Sequence, residues 1–201
     1  MSTAASRILA AMRGFLEAAG SPLIDDFVGA MQWTMPERHL SPKVLDCLSH
    51  LPQAARNAAR PARELAGLLA AECRSLRWGQ TYAASDFGDE FLKNYGWTEI
   101  FGTRGHFENK MIAGGFLLLG PGVTYPDHHH IAEEIYIPLT GGTEWRMGDA
   151  PFTVRDGGGV VHHRSNVSHA IRTGTEPLLA LYLWRGGPLD QRSDIGRSPA
   201  Q

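Results

Sequence analysis

The stretch "YPDHHHIAEEIYIP", residues 125–138, holds three histidines, two glutamates and two tyrosines within fourteen positions. Residues two apart on an extended strand project to the same side. All even-numbered positions of this stretch would therefore lie on one side, and they include His128, His130, Glu134 and Tyr136. If the segment is extended on both sides of a short turn, we expect these four side chains to point into one pocket.

Side chains of these types are ligands for a divalent transition metal. Neutral imidazoles and a carboxylate suit zinc, iron, nickel or manganese, whereas calcium and magnesium favour oxygen ligands alone. A further imidazole, His169 in "NVSHAIRT", begins a later apolar run, and an adjacent antiparallel strand would bring it to the same metal. The pair His162 and His163 competes for this role. We read His129 and the pair as surface residues or as supports of the ligands, and leave the identity of the metal open.

The rest of the chain divides into two patterns. From Ser6 to about Gly79 apolar residues recur at helical spacing, with Ser41 as a predicted cap before Pro42 and with Pro61 either opening a helix or kinking one. Short apolar and aromatic runs separated by turn residues follow, as in a β-sandwich or small barrel. We therefore expect a helical extension (1–80) that packs on a β-barrel (81–187), and a loosely packed polar tail (188–201).

Charge and hydropathy exclude several classes of function. The formal net charge of the 201 residues is -2, and like charges form no block, so the electrostatic basis for binding nucleic acid or an anionic membrane is missing. Charged residues interrupt the apolar N-terminus, and no window approaches the length of a spanning helix. We expect a cytoplasmic protein, a monomer or homodimer, that acts on a small molecule.

The histidine-rich stretch resembles the first sequence motif of the cupin family. That motif is reproduced in full by Gly122, five residues, His128, one residue, His130, three residues, Glu134, six residues and Gly141, and the second motif's histidine is His169. The second motif is partial, because Arg164 and Asn166 stand where cupins usually carry a proline and a glycine. The resemblance covers roughly residues 108–187. It implies a mainly β protein, a cupin (double-stranded β-helix or jelly-roll) barrel with an N-terminal α-helical extension.

"YPDHHHIAEEIYIPLTGGTEWRMGD", together with the helical extension, is similar to the cupin-type dimethylsulfoniopropionate (DMSP) lyases of the DddQ type. The resemblance implies a metal held by His128, His130, Glu134 and His169. It also implies that Tyr136 lies beside the metal, that Tyr125 is a second pocket tyrosine and that Trp184 is a wall of the substrate site. Tyr182 shares a face with Trp184, while Tyr82 and Trp78 lie where the helices meet the barrel and are candidates to close the pocket.

Such an enzyme splits DMSP into dimethyl sulfide and acrylate by β-elimination. A tyrosine beside a dication can ionise and act as the base, and aromatic rings can hold the sulfonium cation. Whether Tyr136 or Tyr125 takes the proton is open. The alternative is an iron-dependent cupin dioxygenase acting on a small thiol or acid, which would use nearly the same ligands. A cupin ligand sensor ranks last, because the sequence shows no helix-turn-helix with a basic face.

Overall fold

Helices fill most of the first ninety residues, and strands follow from residue 95 onward. The computed structural model describes residues 2–196. Within that range the helices are α1 (Ala4–Ala18), α2 (Pro22–Val28), α3 (Leu51–Asn57), α4 (Arg63–Glu72) and α5 (Ala84–Lys93). Short 3-10 turns span Asp46–His50, Arg60–Ala62 and Cys73–Ser75. None of these helices is long and apolar enough to cross a bilayer.

Eleven strands of the described chain form two sheets. They are β1 (Tyr95–Gly102), β2 (Phe107–Glu108), β3 (Ile112–Leu119), β4 (Thr124–His129), β5 (Glu133–Pro138), β6 (Thr143–Met147), β7 (Thr153–Arg155), β8 (Val161–His163), β9 (His169–Arg172), β10 (Leu178–Arg185) and β11 (Asp194–Ile195). The six-stranded sheet has the order β2-β1-β3-β10-β5-β8, and the five-stranded sheet the order β11-β4-β9-β6-β7. This is the expected mainly β cupin barrel with N-terminal helices, and that prediction is confirmed.

The six-stranded sheet has two faces of different chemistry, because successive residues on a strand point to opposite sides. On β5, Ile135 and Ile137 point outward into a continuous apolar core. On β10, Leu181 does the same. The apolar faces of α1 and α4, including Ile8 and Leu69, cover this outer face. The polar and aromatic residues between these positions are left to face the interior of the barrel.

Two of the helix predictions differ from the structure. Ser41 caps no helix: residues 41–45 are extended, and the amide of Lys43 donates to the carbonyl of Leu76 (3.2 Å) before the 3-10 turn begins at Asp46. A β-bridge between Lys43 and Arg77 holds this segment extended. Helix α5 was missed, because Gly88, with φ of 82°, interrupts its apolar spacing. Pro61 opens a helix, through the 3-10 turn that leads into α4.

The tail is better packed than its composition suggests. Leu189 and Ser193 are buried, and β11 pairs with β4, opposite His128 and His129. The expectation of a loosely packed tail is therefore wrong for residues 188–196, while residues 197–201 lie outside the described part of the chain.

The turn before β9 shows how the partial second motif still places its histidine. Asn166 has φ of 60°, the left-handed conformation that glycine usually supplies and that asparagine tolerates better than most residues. The turn is closed by the amide of Val167, which donates to the carbonyl of Arg164 (3.1 Å). The amide of Asn166 donates to the carbonyl of His130 (2.8 Å), which ties this turn to the other histidine strand.

We expect Asn166→Val to lower the free energy of unfolding by about 1–2 kcal/mol, because a β-branched residue is strained at positive φ. Asn166→Gly is the matched control and should stay within about 1 kcal/mol of the wild type. Urea denaturation of the three proteins measures the difference. Equal stability of the valine and glycine variants would contradict the left-handed turn.

Candidate active site

The histidine-rich segment enters the barrel from β4 and leaves along β5. His128 on β4 pairs with His169 on β9, so both side chains share the inner face of the five-stranded sheet. Glu134 on β5 pairs with Trp184 on β10, and Tyr136 pairs with Tyr182. The two inner faces oppose each other across the barrel, which brings these side chains into one buried cluster.

Three imidazoles are oriented by backbone carbonyls. The Nδ1 of His128 donates to the carbonyl of Pro126 (2.8 Å) and that of His130 to Ala132 (2.8 Å). The Nδ1 of His169 likewise donates to Val167 (3.0 Å). In a neutral ring this leaves Nε2 as the atom with a free lone pair, and metal-binding histidines are commonly held in this way.

Glu134 lies at the centre of the cluster and is completely buried. Its Oε2 is 3.0 Å from Nε2 of His130 and 3.4 Å from Nε2 of His169. Its Oε1 accepts a hydrogen bond from the indole Nε1 of Trp184 (2.5 Å). Burial acts to raise the pKa of Glu134, but the contacts with the two histidines outweigh it and lower that pKa. The carboxylate is therefore charged.

The same geometry is the test of whether a metal fits. An imidazole lone pair and a carboxylate oxygen are both acceptors, so two such nitrogens around one charged carboxylate need a proton or a cation between them. One nitrogen each from His130 and His169 and one oxygen of Glu134 lie within 4.8 Å of one another. Nitrogen and carboxylate ligands in a buried group of this size fit a divalent transition metal.

His128 lies beside this group rather than within it. Its ring centroid is 4.2 Å from that of His169, and it stacks on Tyr125 at 3.9 Å. His128 is buried and lines a pocket together with Glu134. Its nitrogens do not belong to the group of close ligand atoms from His130, Glu134 and His169. The structure thus brings three of the four predicted ligands together, and the role of His128 stays a prediction.

His162 and His163 behave differently from each other because they alternate on β8. His162 points outward, where its Nε2 contacts the carboxylate of Glu133 (2.7 Å). His163 points inward and stacks on His169 with ring centroids 4.0 Å apart. Neither of its nitrogens has a hydrogen-bond partner in the described chain, and neither belongs to the close ligand group. His163 therefore packs against His169, and His162 lies outside the cluster.

The two predicted catalytic tyrosines are both buried at the site. The hydroxyl of Tyr125 donates to that of Tyr82 (3.1 Å), which places Tyr82 behind the site rather than on the pocket wall. Burial, followed by the neighbouring Tyr95 and Tyr82, raises the pKa of Tyr125 well above its usual value. Burial and then the charge of Glu134 raise the pKa of Tyr136 in the same way. Without a cation nearby, both remain phenols.

A pocket opens from this cluster toward β1. Trp184 and Tyr182 line it, and their role in binding substrate stays a prediction. Trp184 also donates to Glu134, and its ring lies 4.1 Å from that of His130. Trp78 does not line it: its indole donates to the carbonyl of Cys73 (3.0 Å) inside the helical core.

Sequence reasoning missed other lining residues, namely Thr81, Tyr95, Trp97, Glu99, Arg104, Ala113, Leu117, Gln191 and Ser193. For β1 a signal existed, since Tyr95, Trp97 and Glu99 alternate along one strand. Residues from the tail carried no such pattern.

A family model described as dimethylsulfoniopropionate lyase matches residues 26–180, more than half of the chain. The chain is 36% identical over 110 residues to the dimethylsulfoniopropionate lyase DddQ of Ruegeria pomeroyi, covering 55% of each protein. It is 32% identical over 148 residues to the putative dimethylsulfoniopropionate lyase DddL of Cereibacter sphaeroides, covering 72% of this chain and 61% of the relative. These alignments span about half to three fifths of the curated relatives' length.

Solved structures match over nearly the whole fold. The crystal structure of DddQ from Ruegeria pomeroyi aligns with a TM-score of 0.86 at 26% identity and covers 98% of each chain. A chain from the crystal structures of the DMSP lyases RdDddP and RnDddQII aligns with a TM-score of 0.87 at 28% identity, covering 96% of this chain and 98% of that one. The helical extension is included in these alignments.

We expect the purified protein to bind about one divalent transition metal per chain, and His169→Ala to lower that content severalfold, because it removes a ligand nitrogen from a buried site. His162→Ala is the matched control, because His162 lies on β8 and its side chain points away from the site. Elemental analysis after loading with zinc, iron, nickel and manganese gives the content. Unchanged metal in His169→Ala would show that the site lies elsewhere.

Proposed function

The chain belongs to the dimethylsulfoniopropionate lyase family, and we propose that it cleaves DMSP to dimethyl sulfide and acrylate by metal-dependent β-elimination. The observation that carries the proposal is the pairing of two features in one pocket. At one end the pocket reaches Glu134, which forms a group that fits a metal with the imidazoles of His130 and His169 behind it, and the pocket walls include tyrosine and tryptophan rings. DMSP has matching ends, a carboxylate and a sulfonium cation.

The ligands are proposed to be His130, Glu134 and His169, with His128 as a fourth. A divalent cation held there would act as a Lewis acid on the substrate carboxylate and favour the ionised form of a neighbouring tyrosine. Trp184 keeps the carboxylate of Glu134 in place through its indole N–H. Zinc, iron, nickel and manganese all suit this set.

The reaction needs one base and no acid. A tyrosinate, Tyr136 or Tyr125, takes the proton from the carbon next to the carboxylate. The electron pair of that C–H bond forms the double bond of acrylate, and the pair of the C–S bond leaves with sulfur. Dimethyl sulfide departs uncharged, so its leaving requires no proton. The tyrosine then returns its proton to water.

Two tyrosines are candidates for the base, and their surroundings separate them. Tyr136 feels the charge of the central Glu134, so replacing it also disturbs the ligand group. Tyr125 contacts Tyr82 and the ring of His128, both outside the group of three close ligands. Its replacement should leave the metal in place. The aromatic rings near the pocket, Tyr182 among them, can hold the sulfonium through cation–π contacts of about 0.5–2 kcal/mol each.

The first test is headspace dimethyl sulfide from purified protein and DMSP, with an oxygen electrode in the same vessel. We expect release of sulfide without oxygen uptake, and loss of release after treatment with a chelator, because the carbon acid is too weak to ionise without a Lewis acid. Oxygen uptake with small thiols or acids, and no sulfide with any of the four metals, would favour the dioxygenase instead.

We expect Tyr125→Phe to keep its metal and to lower kcat by about 10²–10⁴, the usual contribution of general base catalysis, if Tyr125 takes the proton. In the active protein kcat/KM should rise with pH, since burial raises the pKa of the phenol and only its ionised form accepts a proton.

The turnover and pH profile of Tyr136→Phe are measured alongside those of Tyr125→Phe, and metal content is determined for both variants. A Tyr125→Phe protein with full turnover and an unchanged pH profile would assign the base to Tyr136.

A further inference from the structure

The six-stranded sheet carries a row of pocket residues that runs away from the proposed metal group. Register places Tyr136 on β5 opposite Tyr182 on β10, Tyr182 opposite Gly115 on β3, and Gly115 opposite Glu99 on β1. The row therefore begins with a tyrosine that feels the charge of Glu134 and ends with a second carboxylate. Glu99 and Glu134 are the two acids among the residues that line the pocket.

Gly115 lets β1 approach β3 closely in the middle of this row. A Cβ atom there would lie 2.0 Å from the carbonyl oxygen of Thr98, because the backbone of β1 occupies the space that a side chain would need. With no side chain between them, Tyr182 and Glu99 act on each other directly: the charge of Glu99 is, after burial, the strongest influence that raises the pKa of Tyr182. Both residues line the pocket, so a ligand group beside them would contact a tyrosine ring and a carboxylate.

Alternation along β1 aims Glu99 into the pocket, on the same side as Trp97. The pairing with β3 then shifts register between Glu99 and Phe101, as at a β-bulge. Ile100 and Phe101 both enter the apolar core, while Glu99 and Trp97 line the pocket. Only 3% of Glu99 is exposed.

The chain only partly compensates the charge of Glu99. Oε1 accepts a hydrogen bond from the backbone amide of Arg104 (2.7 Å), whereas Oε2 lies 3.5 Å from its guanidinium. Strong charge-assisted bonds are shorter, about 2.7–2.9 Å. The guanidinium is partly exposed and lies over the ring of Trp97, 4.9 Å from its centre. Burial raises the pKa of Glu99 while Arg104 opposes this, so a second cation near Oε2 would stabilise the carboxylate.

We infer that Glu99 is a specificity-determining residue that selects substrates with an onium group and holds that group in the pocket beside Tyr182. The inference rests on the proposed function, since it presumes a carboxylate at the histidine end of the pocket. Opposite charge at the two ends then fixes the direction of a zwitterion: the cation is attracted to Glu99 and repelled from a dication. Carboxylic acids of the same shape that lack the cation gain no binding free energy from Glu99.

The test compares two ligands of similar shape that differ in charge. One is 3-(trimethylammonio)propionate, an onium acid, and the other is 4-methylpentanoate, in which carbon replaces the sulfonium sulfur of DMSP. Calorimetry on the metal-loaded protein gives both dissociation constants without turnover. In Glu99→Gln we expect the onium acid to bind at least about tenfold more weakly, and 4-methylpentanoate to change less than about twofold. The amide oxygen of glutamine can still accept from the Arg104 amide, which preserves the loop.

Two further variants separate charge from structure. Glu108→Gln removes an exposed acid that pairs with Arg38 and Lys110 at the sheet edge, and should leave both constants unchanged. Glu99→Gln/Arg104→Gln removes the buried acid together with its partly exposed partner, and should also lose the preference for the onium acid. A parallel loss for both ligands in Glu99→Gln, or no loss for either, would overturn the inference.

Ligand binding and dimethyl sulfide release by the wild-type protein together distinguish a failure of this inference from a failure of the proposed function. A preference for the onium acid that disappears in Glu99→Gln supports the role of Glu99, even if no dimethyl sulfide is released from DMSP. A wild type that releases dimethyl sulfide but binds the two acids equally, or binds neither, overturns the role of Glu99 and leaves the lyase proposal standing.

Discussion

The buried charge of Glu134 is the constraint on which the rest of the site depends. A carboxylate with no exposure to water is costly unless donors or cations surround it. Here the indole of Trp184 satisfies one oxygen, and the imidazoles of His130 and His169 approach the other. Each of these partners comes from a different strand or turn, so the registers of β5, β9 and β10 must all be correct at once.

The outer face of the same sheet accounts for the helices. The inner face carries Glu134 and His163 beside a separate apolar cluster that includes Leu117, so the sheet buries apolar surface on both faces and its outer face needs a cover. Ile135 and Ile137 lie between the polar positions and join the core that α1, α3 and α4 complete. The helical extension is therefore part of the sheet's core, and the solved DMSP lyase structures align with this chain over the extension as well.

Alternation along a strand explains what sequence reasoning could predict. His128, Glu134 and Tyr136 were placed on one side by parity alone, and the structure buries all three. The same rule applied to β8 would have separated His162 from His163. It would also have placed Glu99 on the side of Tyr95 and Trp97, since the irregularity of β1 comes only after Glu99. It could not find the tail, because β11 has only two residues, too few to show a period.

The pocket is closed by segments whose sequences carry no shared pattern. Arg192 on the tail pairs with Asp86 on α5 (2.7 Å) and lies over the ring of Tyr82, 5.6 Å from its centre. The exposed ion pair alone contributes little. The neighbouring Gln191 and Ser193 line the pocket that also holds Glu99 and Glu134. Since electrostatic interactions strengthen where protein atoms replace water, this wall of the pocket strengthens the interactions of both carboxylates.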